Sequence, residues 1–201
     1  MTASWNSPSS AWTSQEQSST CTSRFNPEGP VGATHVHGIT DADVARAPYF
    51  RDVAPTIAAS IAGLPIVAHN ANFDLAFLRT EFAGAGWDLP WLPSYCTLNA
   101  SHLHLPDMDR RRLIDCCWTL GIQLQDAHSA LGDARATAGL LSVYLGTAVD
   151  GSLTSVRAEA AETAWPAGPT RPPLTSEDRL VNAAVRPVLS GSHRLARSSP
   201  R

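Results

Sequence analysis

The sequence predicts an α/β domain, and three features of the chain carry that prediction. Ile66 to Ala68 is a short apolar run between helix-stopping residues and a polar turn, which is typical of a buried strand. Apolar residues recur at helical spacing before this run, over 50–61, and directly after it, over 73–82. A third helical pattern covers 129–145. Helices on both sides of a buried strand favour an α/β arrangement.

Composition limits the possible functions. The chain has 201 residues, of which 43% are hydrophobic, enough for one domain with a real core and appendages. A net charge of -3 gives no overall basic field, although all 15 basic residues are arginine. Nucleic acid would therefore have to be held by a local patch or through metal ions.

The cysteines indicate a reducing compartment. Cys21, Cys96, Cys116 and Cys117 show neither C-x-x-C spacing nor a zinc pattern, and the adjacent pair lies in an apolar helical pattern where buried free thiols are expected. The chain also starts without a secretory signal pattern and has no apolar run long enough to span a bilayer. We therefore expect a cytoplasmic protein with no membrane partner.

We expect three regions along the chain. Residues 1–24 are rich in Ser and Thr without apolar periodicity, which predicts disorder. Residues 25–147 should form the folded domain. Residues 148–201 should form a helical and proline-rich linker, with helices predicted near 153–164 and 175–189, followed by a flexible basic tail.

The first half of the domain should contain two helices before the strand. After a turn at 25–30, Thr40 is a predicted N-cap, with Asp41 and Asp43 in the first turn of a short helix. Phe50, Val53, Ile57 and Ile61 mark a longer helix, which Gly63 and Pro65 end.

The helix after the strand carries the first candidate site residue. Phe73 and Phe77, with Leu78 and Phe82, recur at helical spacing and should pack on a sheet, which places Asp74 in the first turn near the carboxyl end of the strand. In open α/β sheets ligands bind at that edge. The alternative is that Asp74 only interacts with the helix dipole, with Asn72 as a cap.

Three further elements follow this helix. A loop from Trp87 leads to a short strand near 95–97, and a helix is predicted over 98–105. A second helix over 111–121 should bury Cys116 and Cys117. The cluster Arg110 to Arg112 at its start is either a solvated face or a phosphate contact.

The last helix of the domain carries the remaining candidates. Ser129 is a predicted N-cap, Asp133 lies one turn into the helix, and His128 comes just before it. The predicted packed face comprises Leu131, Ala134, Ala138, Leu141 and Leu145. Asp133 could equally be a helix-dipole acid and His128 a solvated loop residue.

Two helix-borne aspartates and a histidine are what a metal-dependent phosphodiesterase needs. Carboxylates bind hard cations such as Mg²⁺, two of which can clamp the attacking and leaving oxygens of a displacement. A histidine, whose pKa lies near neutral pH, can take a proton from the attacking water.

Two motifs resemble those of a known enzyme family. The run His69-Asn70-Ala71-Asn72-Phe73-Asp74 resembles the second motif of the DEDDh class of 3′–5′ exonucleases, and the run from His128 to Asp133 resembles the third, H-x-A-x-x-D. The family includes the proofreading epsilon subunit of DNA polymerase III. The similarity extends from about Phe25 to Leu145, including the loop up to Thr40.

The resemblance implies a ribonuclease H-like fold with a mixed central sheet, and it assigns roles to the candidates. Asp74 and Asp133 would bind a two-ion centre of Mg²⁺ or Mn²⁺, and His128 would be the general base. His69, Asn70, Asn72 and Phe73 would contact the substrate. That substrate would be the 3′ end of single-stranded DNA or RNA, and a DNA polymerase or another replication or repair protein would be a partner.

The sequence departs from the family at its start. The family opens with a strand carrying a D-x-E motif, and none is present here. Asp41-Ala42-Asp43 has similar spacing but lies in a helix start, and Glu16 is isolated. We therefore expect a chain that lacks the first strands, with its N-terminal coding sequence truncated or frame-altered. Such a chain would be either an impaired exonuclease, an inactive remnant that binds nucleic acid or a replication protein, or an unrelated interaction domain.

Overall fold

The computed structural model describes residues 2–6, 20–124, 129–147 and 151–175. Its strands are β1 (Thr2–Asn6), β2 (Thr20–Arg24), β3 (Ile66–Ala68) and β4 (Ser94–Cys96). Its helices are α1 (Thr34–His37), α2 (Asp41–Val44), α3 (Phe50–Ile61), α4 (Ala71–Gly84), α5 (Thr97–His104), α6 (Leu113–Thr119), α7 (Ala130–Gly146) and α8 (Ser152–Glu162). None of the helices in these ranges is both long and apolar enough to cross a membrane.

The strands form two separate pairs. β1 pairs with β2 in antiparallel orientation, with Thr2 opposite Arg24, while β3 pairs with β4 in parallel, with Val67 opposite Tyr95. The predicted α/β class is confirmed. Within the described ranges, the expected mixed sheet is divided into these two pairs.

The structure describes two segments of the Ser- and Thr-rich region 1–24. Thr2–Asn6 and Thr20–Arg24 are strands, and β1 packs against α3 and α7. Strand pairing uses backbone groups and suits β-branched threonines, so it does not require an apolar alternation in the sequence. Residue 1 and residues 7–19 lie outside the described residues.

Two hydrophobic clusters lie on either side of β3. In the first cluster, Phe50 makes edge contacts with Phe25 and Phe82 at ring-centroid distances of 5.6 and 5.1 Å. The second contains Tyr95, Leu140, Tyr144 and the free thiols of Cys116 and Cys117, which are fully buried as predicted. Ile66 packs on the first cluster and Val67 on the second. Successive strand residues point to opposite faces, so β3 is enclosed between the two clusters.

Local signals for helix ends are confirmed. Ser129 Oγ accepts a hydrogen bond from Gly132 N at 2.9 Å, which caps α7. The Asp43 carboxylate accepts from Thr40 N at 2.8 Å at the start of α2. Gly63, with φ of 74°, follows α3, as the sequence predicts. The bounds of α3, α4, α5 and α8 also lie within a few residues of those predicted.

The predicted buried faces of two helices are only partly confirmed. In α4, Phe82 is buried, but Phe73 is 60% exposed and Phe77 is 37% exposed. The helix instead buries Ala71 and Leu75 together with Phe82, at spacings of 4 and 7 residues. In α7, Leu141 is buried as expected, whereas Ala134 and Leu145 are exposed and the buried set includes Gly132, Ala136, Thr137, Leu140 and Tyr144. Each helix has two rows of apolar residues, and the sequence alone does not show which row will be buried.

The proline-rich segment after α8 is fixed on the domain. Trp165 packs against the first cluster, and Thr170 N and Arg171 N both donate to Gly86 O, at 2.8 and 3.0 Å. Arg171 and Thr170 also bind the Asp88 carboxylate. The segment is therefore a strap over the end of α4, from 165 to 175. The predicted basic tail, and most of the helix expected at 175–189, lie outside the described residues.

The strap makes Gly86 essential for stability. An added Cβ at Gly86, where φ is 85°, would lie 2.0 Å from Arg171 O, whereas a Cβ at Gly121, where φ is 68°, meets nothing within 4 Å. We expect Gly121→Ala to cost about 1–2 kcal/mol from backbone conformation alone. Gly86→Ala should additionally lose the two strap hydrogen bonds, about 0.5–1.5 kcal/mol each. Urea denaturation measures the free energy of unfolding of both variants. Equal losses of stability in the two variants would contradict the strap.

Candidate functional site

The turn between β3 and α4 places the first candidate residues. Asn70 adopts a left-handed conformation, with φ of 71° and ψ of 53°, and its carbonyl accepts from Phe73 N at 3.0 Å. Asparagine tolerates this conformation better than most residues. The turn ends the strand and starts α4 within two residues, so Asp74 lies in the first turn of the helix at the carboxyl edge of the β3–β4 pair.

Asp74 is accessible to solvent, yet its carboxyl is perturbed. The neighbouring protein partly desolvates it, which raises its pKa above the ordinary value, while its own backbone N–H acts in the opposite direction. An acid that serves only as a helix-dipole partner would be stabilised in its charged form. Desolvation therefore disfavours the charged form of the Asp74 carboxyl in the folded chain.

His69 connects β3 to two other elements. Its Nε2 lies 2.8 Å from Arg111 O and its Nδ1 lies 3.0 Å from Thr97 Oγ1. A carbonyl can only accept, so Nε2 carries the proton, and in the neutral ring Nδ1 accepts from the Thr97 hydroxyl. Burial lowers the pKa of His69, in agreement with a neutral ring. Because both ring nitrogens are engaged, the structure gives His69 a positioning role beside its predicted substrate contact.

Asp133 lies in the first turn of α7, on the helix that Ser129 caps. It is half-buried, and its N–H donates to Ser129 O at 2.9 Å. Its carboxylate is close enough to Cys117 to help raise the pKa of that thiol to about 11, although burial and the neighbouring Cys116 contribute more. Asp133 is therefore adjacent to the second hydrophobic cluster.

Both candidate aspartates belong to helices that pack on β3, because α4 and α7 each contact that strand. His128 lies outside the described residues, so its predicted place beside them stays a prediction. Among the residues that the structure describes, no group of three or more His, Cys, Asp or Glu side chains comes together as a metal site. Metal binding by Asp74 and Asp133 therefore stays a prediction from the sequence.

Three of the four predicted substrate residues, Asn70, Asn72 and Phe73, are exposed. Phe73 stacks on Phe77 with ring centroids 4.8 Å apart. Asn70 and Asn72 line an open cleft of about 280 Å³, which Asn99 of α5 also lines. Sequence reasoning missed Asn99 because it is distant in the chain and lies in no motif. The parallel β3–β4 pairing brings it beside the turn at Asn70.

The arginine cluster has mainly internal roles. Arg111 Nη1 donates to Ser101 O and Leu105 O, at 2.6 and 2.9 Å, and so satisfies carbonyls at the end of α5. Arg112 forms a bidentate ion pair with Asp115. Two of the three guanidinium groups are thus committed to the fold, which leaves Arg110 for the predicted phosphate contact.

The α/β framework thus carries both candidate acids in the first turns of helices that pack on β3. The chain belongs to the exonuclease family (RNase_T), whose model matches residues 15–141, more than half of the chain.

Individual relatives agree with this family. The chain is 35% identical over 118 residues to a DNA polymerase III PolC-type from Bacillus cereus, a match that covers 58% of this chain and 8% of that protein. It is 39% identical over 121 residues to a DNA polymerase III subunit epsilon-like protein from Rhodobacter capsulatus, over 56% of this chain and 16% of that protein. The chain therefore spans only a small part of these relatives.

A solved structure shares the fold. It is described as exonuclease X in complex with 5′ overhanging duplex DNA, and it matches with a TM-score of 0.53 and 25% identity. The match covers 69% of this chain and 81% of that chain. The predicted ribonuclease H-like exonuclease fold is thereby confirmed.

The neutral His69 ring predicts a pH-dependent stability. Its folded pKa lies below the ordinary value of 6.5, so between these two values only the unfolded state binds the proton. Stability is therefore lost as the pH falls below about 6.5. At pH 8 we expect His69→Gln to be less stable than wild type by about 1–3 kcal/mol. Urea titrations from pH 8 to 5.5 should show this difference in the free energy of unfolding becoming smaller. A difference that stays constant with pH would contradict the neutral buried ring.

Proposed function

We propose that this chain is a 3′–5′ exonuclease of the DEDDh class that acts on the terminal phosphodiester of single-stranded nucleic acid, with DNA as the favoured substrate. The observation that carries the proposal is the arrangement of Asp74 and Asp133. They start two helices that pack on the same strand, in a chain that belongs to the exonuclease family. The direction and the substrate follow from the motifs around these acids.

A divalent metal, Mg²⁺ or Mn²⁺, is part of this proposal, with Asp74 and Asp133 as its ligands. When bound, such ions stabilise the attacking and leaving oxygens of the displacement. The described residues do not by themselves fit a two-ion centre, because no three of their acidic, histidine or cysteine side chains come together in one group. We therefore propose that any hydrolysis is impaired.

The other predicted residues have distinct roles in this proposal. His128 takes the proton from the attacking water. Phe73, exposed beside Asp74, contacts a base of the substrate. Asn70 and Asn72 present free amides at the cleft, and His69 holds the turn that carries them.

The partner and the location are proposed on separate grounds. Two relatives are named as DNA polymerase III proteins, which supports a replication or repair polymerase as a partner. The buried free thiols of Cys116 and Cys117 support a reducing compartment, and we propose the cytoplasm.

A second function, binding without cleavage, is favoured by one observation. The described acids form no complete metal centre, whereas Phe73 and the amides of the cleft are exposed. Such a chain would bind single-stranded ends and leave them intact.

Digestion of 3′-labelled single strands with Mg²⁺ or Mn²⁺ tests the proposed reaction. We expect slow release of 3′ nucleotides by wild type, and loss of about 100-fold or more with Asp74→Ala or Asp133→Ala because each removes a charged ligand. Asp109→Ala, which changes an exposed acid outside the site, should keep wild-type activity. Activity that survives both site substitutions would remove the site assignment, and binding without any cleavage would establish the second function.

A further inference from the structure

The amide-lined cleft lies on the opposite side of α4 from Asp74. Asn72 and Asp74 are two residues apart on the helix, which places their side chains roughly 200° apart around its axis. Asn72 lines the cleft together with Asn70, Asn99 and Ser152. The cleft is therefore a surface separate from the one that presents the catalytic acid.

The lining of the cleft offers neutral hydrogen-bonding groups. The side chains of Asn70, Asn72 and Asn99 are exposed, and none of these amides is hydrogen-bonded within the described part of the chain. Each amide provides two donors and an acceptor in one plane. The edge of a nucleobase presents the complementary pattern of donors and acceptors, which is why Asn recognises base edges.

A cationic and aromatic pair continues this surface along α4. Arg79 lies seven residues after Asn72, about 10 Å along the same side of the helix. Its guanidinium carbon lies 5.0 Å from the centre of the Trp91 ring, and Trp91 is 64% exposed. The loop at Trp91 has prolines at 90 and 93 and a buried Leu92, so the indole is held outward rather than free to collapse.

We propose that the three asparagine amides, Arg79 and Trp91 form a second binding surface for single-stranded nucleic acid, which holds nucleotides upstream of the 3′ end. This inference rests on the proposed function, because it takes the strand whose end reaches Asp74 as its ligand. A base enters the amide cleft through its hydrogen-bonding edge. Trp91 stacks on the next exposed base, and Arg79 contacts the phosphate between them.

The composition of the surface supports this ligand. Among its described members Arg79 carries the only charge, and it is positive, which suits a phosphate backbone. Stacking on an aromatic ring tolerates every base, whereas amides distinguish base edges. The surface would therefore add affinity with limited sequence preference.

Fluorescence anisotropy of a labelled 16-nucleotide strand, measured in EDTA so that no cleavage occurs, tests this surface. We expect Trp91→Ala to weaken binding roughly 10-fold, as for the loss of one stacked base. Asn99→Ala should weaken it several-fold. Trp118→Ala is the matched control, since Trp118 is 67% exposed on α6 and lies outside the surface. His102→Ala, also on α5, is the control for Asn99 and should leave binding unchanged.

Strands that lack bases at chosen positions show which nucleotides contact Trp91. A strand that lacks bases at positions four to ten from the 3′ end should bind wild type and Trp91→Ala equally. A strand that lacks only the last three bases should still show the full Trp91 effect. If Trp91→Ala and Asn99→Ala both bind the intact strand like wild type, the proposed binding surface is wrong while the proposed function stands. If wild type binds no strand, both proposals fail together.

Discussion

The enclosure of β3 between two hydrophobic clusters is the constraint on which the rest of the site depends. Ile66 and Val67 point to opposite faces and pack on different clusters. A shift of the strand by one residue would therefore turn each side chain toward the wrong cluster. Parallel pairing with β4 then fixes which edge carries the carboxyl ends. The turn at Asn70, the start of α4 and the start of α5 all follow from that edge.

His69 extends this constraint from the strand to the neighbouring helices. Its ring bridges Thr97, at the start of α5, and Arg111, which in turn satisfies the carbonyls at the end of the same helix. The first residue of the second exonuclease motif thus ties three elements together rather than facing a ligand alone. Asp74 follows on the first turn of α4, so these contacts help to fix where the proposed catalytic carboxylate starts its helix.

Local signals made much of this structure predictable. The strand at 66–68, the cap at Ser129 and the helix starts of the two acids were all evident in the sequence, because each depends on residues close in the chain. The packed face of α4 was not, since Phe73 and Phe77 compete with Ala71 and Leu75 until tertiary contacts decide. The strap on Gly86, the strands at the N-terminus and the place of Asn99 are likewise non-local, so no short pattern encodes them.

The contacts that arginines make within the fold limit how nucleic acid could be held. Arg51, Arg112 and Arg171 form ion pairs with Glu28, Asp115 and Asp88. Arg111 is committed to backbone carbonyls, so few guanidinium groups near the β3 edge remain for phosphates. With a net charge of -3, long-range attraction to a polyanion is weak. Under the proposed function, exposed aromatic rings and free amides would therefore supply most of the contact that the described residues can offer a strand, and such contact depends less on salt than phosphate neutralisation does.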